Sequence, residues 1–320
     1  MNKPYISVVI PIYNEQESLE ILYQRLIPVM DSIGKSYEII FTNDGSKDNS
    51  ENILNQFFER RPLQIRVIHF NTNYGQHLAI MAGLEKVRGE IVVTMDADLQ
   101  NPPEDIPKLI AKIEEGYDVV GGCRENRQDL FWRKWFSKMH NKMRQIMIPR
   151  LVMQDEGCML RAYRRYIVDL MVKSDESNTF VNALALNFAN NPTEVPVSHE
   201  ARAAGTSKYN FYKLIRYNFD LITNFSLVPL QIFTLLGLGI SALSGLLVIY
   251  LLMRRLIEGP EVQGVFTLFA IAFFLIGICL LGLGILGEYI GRIYQEVRKR
   301  PRFVIRKIVQ TLQESENHES

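Results

Sequence analysis

The 320-residue chain has little cysteine. Cys123, Cys158 and Cys279 stand far apart, which excludes a disulfide framework or a thiolate metal site and fits a reducing compartment. An excess of charge of one sign is also missing. Lys and Arg total 36 against 35 Asp and Glu, so no global basic field argues for nucleic acid as a partner. His69, His77, His140 and His199 lack metal-ligand spacing. The opening stretch, "MNKPYISVVIPIYNEQ", lacks a signal peptide's layout, because its apolar run is short and leads into Pro11 and Asn14-Glu15. The domain that starts there is expected to stay in the cytosol.

Two stretches lack charge altogether. Leu221 to Met253 contains 33 residues without Asp, Glu, Lys or Arg, and Val262 to Gly287 contains 26 more. A membrane helix needs about 20 mostly apolar residues, so the pair predicts a hairpin of two spans joined by "RRLIEGPE"; two buried core helices are the alternative. Lys208, Lys213 and Arg216 precede the first run, and Arg292, Arg298, Lys299, Arg300 and Arg302 follow the second. That bias places both termini in the cytoplasm. The expected organisation is a cytosolic domain over 1–205, a juxtamembrane amphipathic helix over 206–226, two spans with a short outer loop over 227–290, and a cytosolic tail over 291–320. Gly282, Gly284 and Gly287 spell GxGxxG, but no strand precedes them, and small residues in an apolar run let helices approach closely.

What is present before residue 205 alternates between strand-like and helix-like patterns. "ISVVIPIY", "YEIIFT", "IRVIHF", "EIVVTM" and "YDVVGG" read as strands, with helical spacing between them. This predicts an α/β fold, a mainly parallel sheet covered on both faces, with ligands beyond the carboxyl ends of the strands. Asn14-Glu15, Asn43-Asp44, Asn71 to Asn73, Asp96 with Asp98, and Arg124 all fall at those ends.

Asp96 and Asp98 close the apolar run Ile91-Val92-Val93. Two carboxylates so close repel unless a cation neutralises them, and oxygen ligands suit Mg2+ or Mn2+ with substrate phosphates. The bland alternative is a turn entering the helix after Asn101-Pro102-Pro103. Asp44, in "FTNDGSKDNS", is placed to accept hydrogen bonds from a base or ribose; a capped turn is its alternative. Gln128 to Met147 interleaves Phe131, Trp132, Trp135 and Phe136 with Arg133, Lys134, Lys138 and Lys142, and reads as a helix on a membrane surface or as an ordinary packed helix. Ala201 to Arg216 reads as a mobile lid or as a plain linker.

"VVIPIYNEQESL", "NDGSKDNS", "NYGQHLAIMAG" and "MDADLQNPPEDIP" together resemble the inverting family 2 glycosyltransferases with the GT-A (Rossmann-like) fold. The resemblance continues through "EGYDVVGGCRENRQD", "DEGCMLRAYRR", "GTSKY" and "GEYIGRIY", and so covers nearly the whole chain. It narrows to the polyprenyl-phosphate glycosyltransferases, and "NYGQH", "ENRQD" and "GCMLRAYRR" are similar to the subgroup acting on 4-deoxy-4-formamido-L-arabinose. That resemblance implies a UDP-sugar donor, an undecaprenyl phosphate acceptor in the bacterial inner membrane, a role in lipid A modification and polymyxin resistance, and a homo-oligomer, tetrameric in relatives. It implies that Asp96, Asp98 and Gln100 hold the metal. Pro11, Tyr13, Glu15 and Asp44 would hold the nucleoside; under the lid reading of 201–216, Arg202 and Lys208 would close on the diphosphate. Arg124, Arg127, Arg133 and Ser137 would meet the lipid phosphate, and Asp155 would sit near the sugar or cap a helix. Asn43 departs from the pattern, since relatives often carry a second aspartate there. Glucose is the alternative sugar, and a silent membrane scaffold the alternative of another class. A processive polysaccharide synthase is excluded by the missing Gln-x-x-Arg-Trp motif; Trp132 and Trp135 are the only tryptophans.

Overall fold

A computed structural model describes residues 3–124, 155, 157–174, 180–200, 228–258, 265–297 and 301–311. The chain divides into two compact units, 1–209 with 300–320, and 210–299.

The first unit is built on β1 (Ile6–Ile12), which is buried along its whole length between two parallel neighbours, β2 (Tyr37–Asn43) and β4 (Ile91–Thr94). A parallel strand covered on both faces must be apolar throughout, and "ISVVIPI" is. β3 (Ile65–Phe70) continues the parallel run beyond β2. Between these strands, α1 (Leu19–Ser32) buries Leu19, Leu22, Leu26, Ile27 and Met30, a stripe at steps of three and four. In α2 (Ser50–Arg60), Phe57 stacks on Tyr23 of α1 at 4.4 Å and meets Phe41 of β2 at 5.9 Å. α3 (Gln76–Leu84) lies directly on β1: a Cβ at Gly83 would fall 2.4 Å from Val9 Cγ1. A 3-10 turn at Pro103–Asp105 leads into α4 (Ile106–Glu114).

The sheet has eight strands in the order β7-β5-β6-β4-β1-β2-β3-β8, mixed and mostly parallel in its centre. β5 (Val119–Arg124) does not pair with β4. β6 (Arg161–Arg164) lies between them, antiparallel to both, and β7 (Pro192–Val197) runs parallel to β5 on the outer side. α5 (Arg165–Lys173) and α6 (Val181–Phe188) pack beside them. The expected tail is not a simple appendage: β8 (Ile305–Val309) is antiparallel to β3 and supplies the last strand of the sheet.

The second unit holds α7 (Val228–Glu258) and α8 (Val265–Val297). Among the described residues one stretch, Ile271–Gly291 within α8, is long and apolar enough to cross a membrane by length and composition. Gly282 is where the two helices meet, because a Cβ there would lie 2.0 Å from the ring of Phe233. Of the GxGxxG-like run, Gly282 therefore serves packing, while a Cβ at Gly284 or Gly287 would meet open space.

Candidate active site

The chain leaves β1 towards β2 and β3, then returns to β4 on the other side of β1. The crevice above the carboxyl ends of β1 and β4 is thus the switch point of the sheet, where open α/β folds bind ligands. Pro11 helps to open it. Val9 O accepts the last bond from the β4 side, from Met95 N at 3.2 Å, and alternation turns position 11 to the same side, beyond Thr94 where β4 has ended. With no N–H to satisfy, proline sits there at no cost.

At the crevice, Tyr13 is 40% exposed. Asn14 takes a left-handed φ of 55°, and its Oδ1 accepts Lys47 N at 2.8 Å. Glu15 N donates to Ser50 Oγ at 3.1 Å, and Ser18 Oγ donates to Glu15 Oε2 at 2.9 Å. The loops after β1 and β2 are therefore laced into one floor.

Asp44 is used by the protein. Its carboxylate accepts Tyr74 N at 2.6 Å, Gly75 N at 2.8 Å and Asn73 Nδ2 at 2.8 Å, so it fixes the loop that enters α3. Burial raises its pKa and the two backbone amides pull it partly back. Gly45 permits this approach: at φ 64° it lies so near the next loop that a Cβ would be 2.5 Å from Thr72 C. Asn43 points elsewhere, to His69 Nδ1 at 3.1 Å and Ser46 N at 3.0 Å.

Asp96 and Asp98 follow β4 directly. Asp96 is half-buried and its Oδ1 accepts a short bond from Gln76 Nε2 in the first turn of α3. Asp98 is 8% exposed and its Oδ1 accepts Gln100 N at 3.1 Å. Between Asp98 and Gln100, Leu99 holds a φ of 62° with its side chain buried. A left-handed leucine costs about 1–2 kcal/mol, offset by burying that side chain.

Arg124, at the end of β5, makes a two-pronged ion pair with Asp155 through Nε at 2.6 Å and Nη2 at 2.7 Å. Asp155 is 4% exposed, and its backbone is held by Glu194 Oε1 at 3.0 Å and by Arg161 Nη2 at 3.1 Å. The hydrogen bonds to Asp155 raise the Arg124 pKa, and Asp96 contributes through its charge. The structure thus brings Asp155 to Arg124. Cys158 nearby is no nucleophile, since burial pushes its thiol up to about 11. Glu200 N donates to Gln100 O at 2.9 Å, so the chain passes this turn two residues before Arg202.

Arg127, Arg133, Ser137, Arg202 and Lys208 lie outside the described residues, as do the segments 128–147 and 201–216. Sequence reasoning missed the role of Gln76, although it lies within "NYGQH", and missed Arg161, fully buried behind Asp155.

The sequence profile described as glycosyl transferase family 2 matches residues 7–171. A protein of Shewanella sediminis named undecaprenyl-phosphate 4-deoxy-4-formamido-L-arabinose transferase is 48% identical over 313 residues, 96% of this chain and 93% of that protein. Solved structures are more distant. Glucosyl-3-phosphoglycerate synthase of Mycobacterium tuberculosis covers 69% of this chain and 78% of its own at 18% identity and a TM-score of 0.49. Mannosyl-3-phosphoglycerate synthase of Rubrobacter xylanophilus covers 68% and 72% at 13% identity and 0.48. With the profile matched over half of its length and the Shewanella protein over nearly all of it, the chain belongs to glycosyl transferase family 2.

Proposed function

We propose that the chain is an inverting glycosyltransferase moving 4-deoxy-4-formamido-L-arabinose from a UDP donor to undecaprenyl phosphate. The observation that carries the reaction class is the acidic pair Asp96 and Asp98 at the switch point of the sheet. The acceptor and the sugar rest on the relative at 48% identity, whose name specifies both.

The residues present fit a divalent cation. Asp96 and Asp98 offer carboxylate oxygens and Gln100 an amide oxygen as ligands, and no trio of His, Cys, Asp or Glu forms a cage among the described residues. Two carboxylates completed by substrate phosphates are how Mg2+ is commonly held, and Mn2+ shares that preference. When bound, such an ion neutralises the negative charge growing on the leaving diphosphate.

The chain's own groups do the rest. Arg124, kept cationic and oriented by Asp155, positions the acceptor phosphate, together with Arg127, Arg133 and Ser137. Asp155 is committed to that ion pair, so it acts as an anchor for the guanidinium. The acceptor needs no strong base, because a phosphate monoester with a second pKa of about 6 is already ionised at neutral pH. Its oxygen attacks the anomeric carbon from the face opposite the diphosphate as the bond from that carbon to the diphosphate oxygen breaks, and holding both in place contributes to the acceleration. Pro11, Tyr13 and Glu15 line the nucleoside end, and Asp44 contributes through the loop it fixes. Arg202 and Lys208 close on the diphosphate. Ile271–Gly291 and the apolar run before it hold the enzyme in the bacterial inner membrane, termini cytoplasmic, beside an acceptor that does not leave the bilayer.

The test is purified protein in detergent with Mn2+, undecaprenyl phosphate and a panel of UDP-sugars, the products identified by mass spectrometry. The formamido sugar is the expected substrate. Asp98→Ala is expected to keep the fold and lose at least about a hundredfold in rate. Preferred use of UDP-glucose overturns the sugar; full product formation by Asp98→Ala overturns the site.

A further inference from the structure

The residues that follow α8 reach back to the acidic pair through an unbroken series of contacts. Asn71 N donates to Val304 O at 3.2 Å, extending the β3–β8 ladder by one bond. Phe303 stacks on Phe70 with ring centres 5.1 Å apart, and Phe70 meets Tyr74 edge-on at 5.6 Å. Tyr74 OH donates to Asn71 Oδ1 at 2.9 Å, while Tyr74 N and Gly75 N are the donors to Asp44. The next residue is Gln76, which donates to Asp96. At the other end of α3, Arg302 Nη2 lies 3.7 Å from Glu85 Oε1, with both side chains mostly buried. Arg302 and Phe303 therefore grip the segment Asn71–Glu85 at both ends.

We propose that Arg302 and Phe303 are positioning residues for the donor site: by fixing the loop before α3 and the helix itself, they set the place of Gln76 and hence of the Asp96 carboxylate. The inference rests on the proposed role of Asp96 and Asp98 in holding a metal and a nucleoside diphosphate. It assigns a task to a stretch that sequence reading treats as a tail. Two features make the grip specific. An edge strand needs only main-chain bonds and alternating side chains to pair, so the stacked Phe303 exceeds what closing the sheet requires. The Gly75 φ of 100° leaves the loop no helical default to fall back on, so its shape depends on Asp44 below and Phe70 with Tyr74 beside it.

The test uses the full chain in detergent or nanodiscs, comparing wild type with Phe303→Ala, Phe303→Leu and Phe303→Tyr. Three quantities are measured: the Kd for UDP with Mn2+ by calorimetry, exchange protection of the Tyr74 and Gly75 amides, and KM for donor and acceptor separately. Phe303→Ala is expected to weaken UDP binding about fivefold to tenfold, the worth of one aromatic pair. It is expected to strip protection from the two amides and to raise the donor KM alone. Phe303→Leu keeps an apolar contact and the fold yet loses the stack, and is expected to follow Phe303→Ala in direction; Phe303→Tyr is expected to match wild type. The proposal is overturned if Phe303→Leu binds UDP as tightly as wild type, or if donor and acceptor KM rise together. A wild type that binds no UDP with Mn2+ overturns the donor-site reading along with this one.

Discussion

His77 stands one residue past Gln76, with its ring edge-on to Phe180 at 5.5 Å and its Nδ1 buried without a hydrogen-bond partner. Burial pushes its pKa down to about 4 from the ordinary 6.5. The unfolded chain therefore takes up a proton here before the folded one does. Stability is intact above about pH 6.5, is lost as pH falls towards 4, and changes no further below that. The window corresponds to about 1–3 kcal/mol, and His69, also lowered by burial, acts in the same direction. Melting temperatures between pH 7 and pH 4.5 are expected to fall in wild type and to fall less in His77→Gln; parallel curves contradict the assignment. At this scale the sequence is legible where chemistry demands an unusual residue. Paired aspartates after a buried strand, and a proline inside one, both mark the crevice. Gln76 is illegible because a glutamine opening a helix looks like any solvated residue, and only the packing of α3 on β1, with β4 as the next strand, brings Asp96 to it. Asp155 is legible as a candidate, but its capture by Arg124 depends on β6 and β7, which hold its backbone.

Elements were readable where a single period runs long enough. α1 announces itself through Leu19, Leu22, Leu26 and Ile27, and those residues lie on the core side. Leu22 is fully buried, so Leu22→Ala is expected to destabilise the first unit by about 2–5 kcal/mol with little effect on donor KM, measured by thermal melts beside kinetics. The four inner parallel strands were legible as apolar runs for the same reason. β6 was not: "RAYR" has two arginines in four residues, and Arg161 is fully buried only because carbonyls of Asp155 and Cys158 accept its donors. β8 was hidden too. "IRKIV" carries two cations, the usual guard on an edge strand, and reads as polar tail until β3 is there to pair with it.

At the scale of the whole molecule, the apolar runs were the plainest signal, and α8 exposes Leu280, Leu281 and Leu283 at more than 60% each. The full chain is expected to stay with the membrane pellet through an alkaline carbonate wash and to leave it only with detergent; release by carbonate alone contradicts a spanning helix. What sequence order conceals is that the first unit is not contiguous: residues 210–299 are interposed between its main body and its last strand. That interposition has a temporal side. On the ribosome, β3 is finished with its outer edge bare, and the strand that covers it is not made until the whole apolar segment has been translated, a delay on the order of ten seconds at usual elongation rates. A bare edge invites pairing with other chains. A nascent chain stalled before residue 305 has Asp44, Asp96, Asp98 and Asp155 and none of the strand that covers the outer edge of β3.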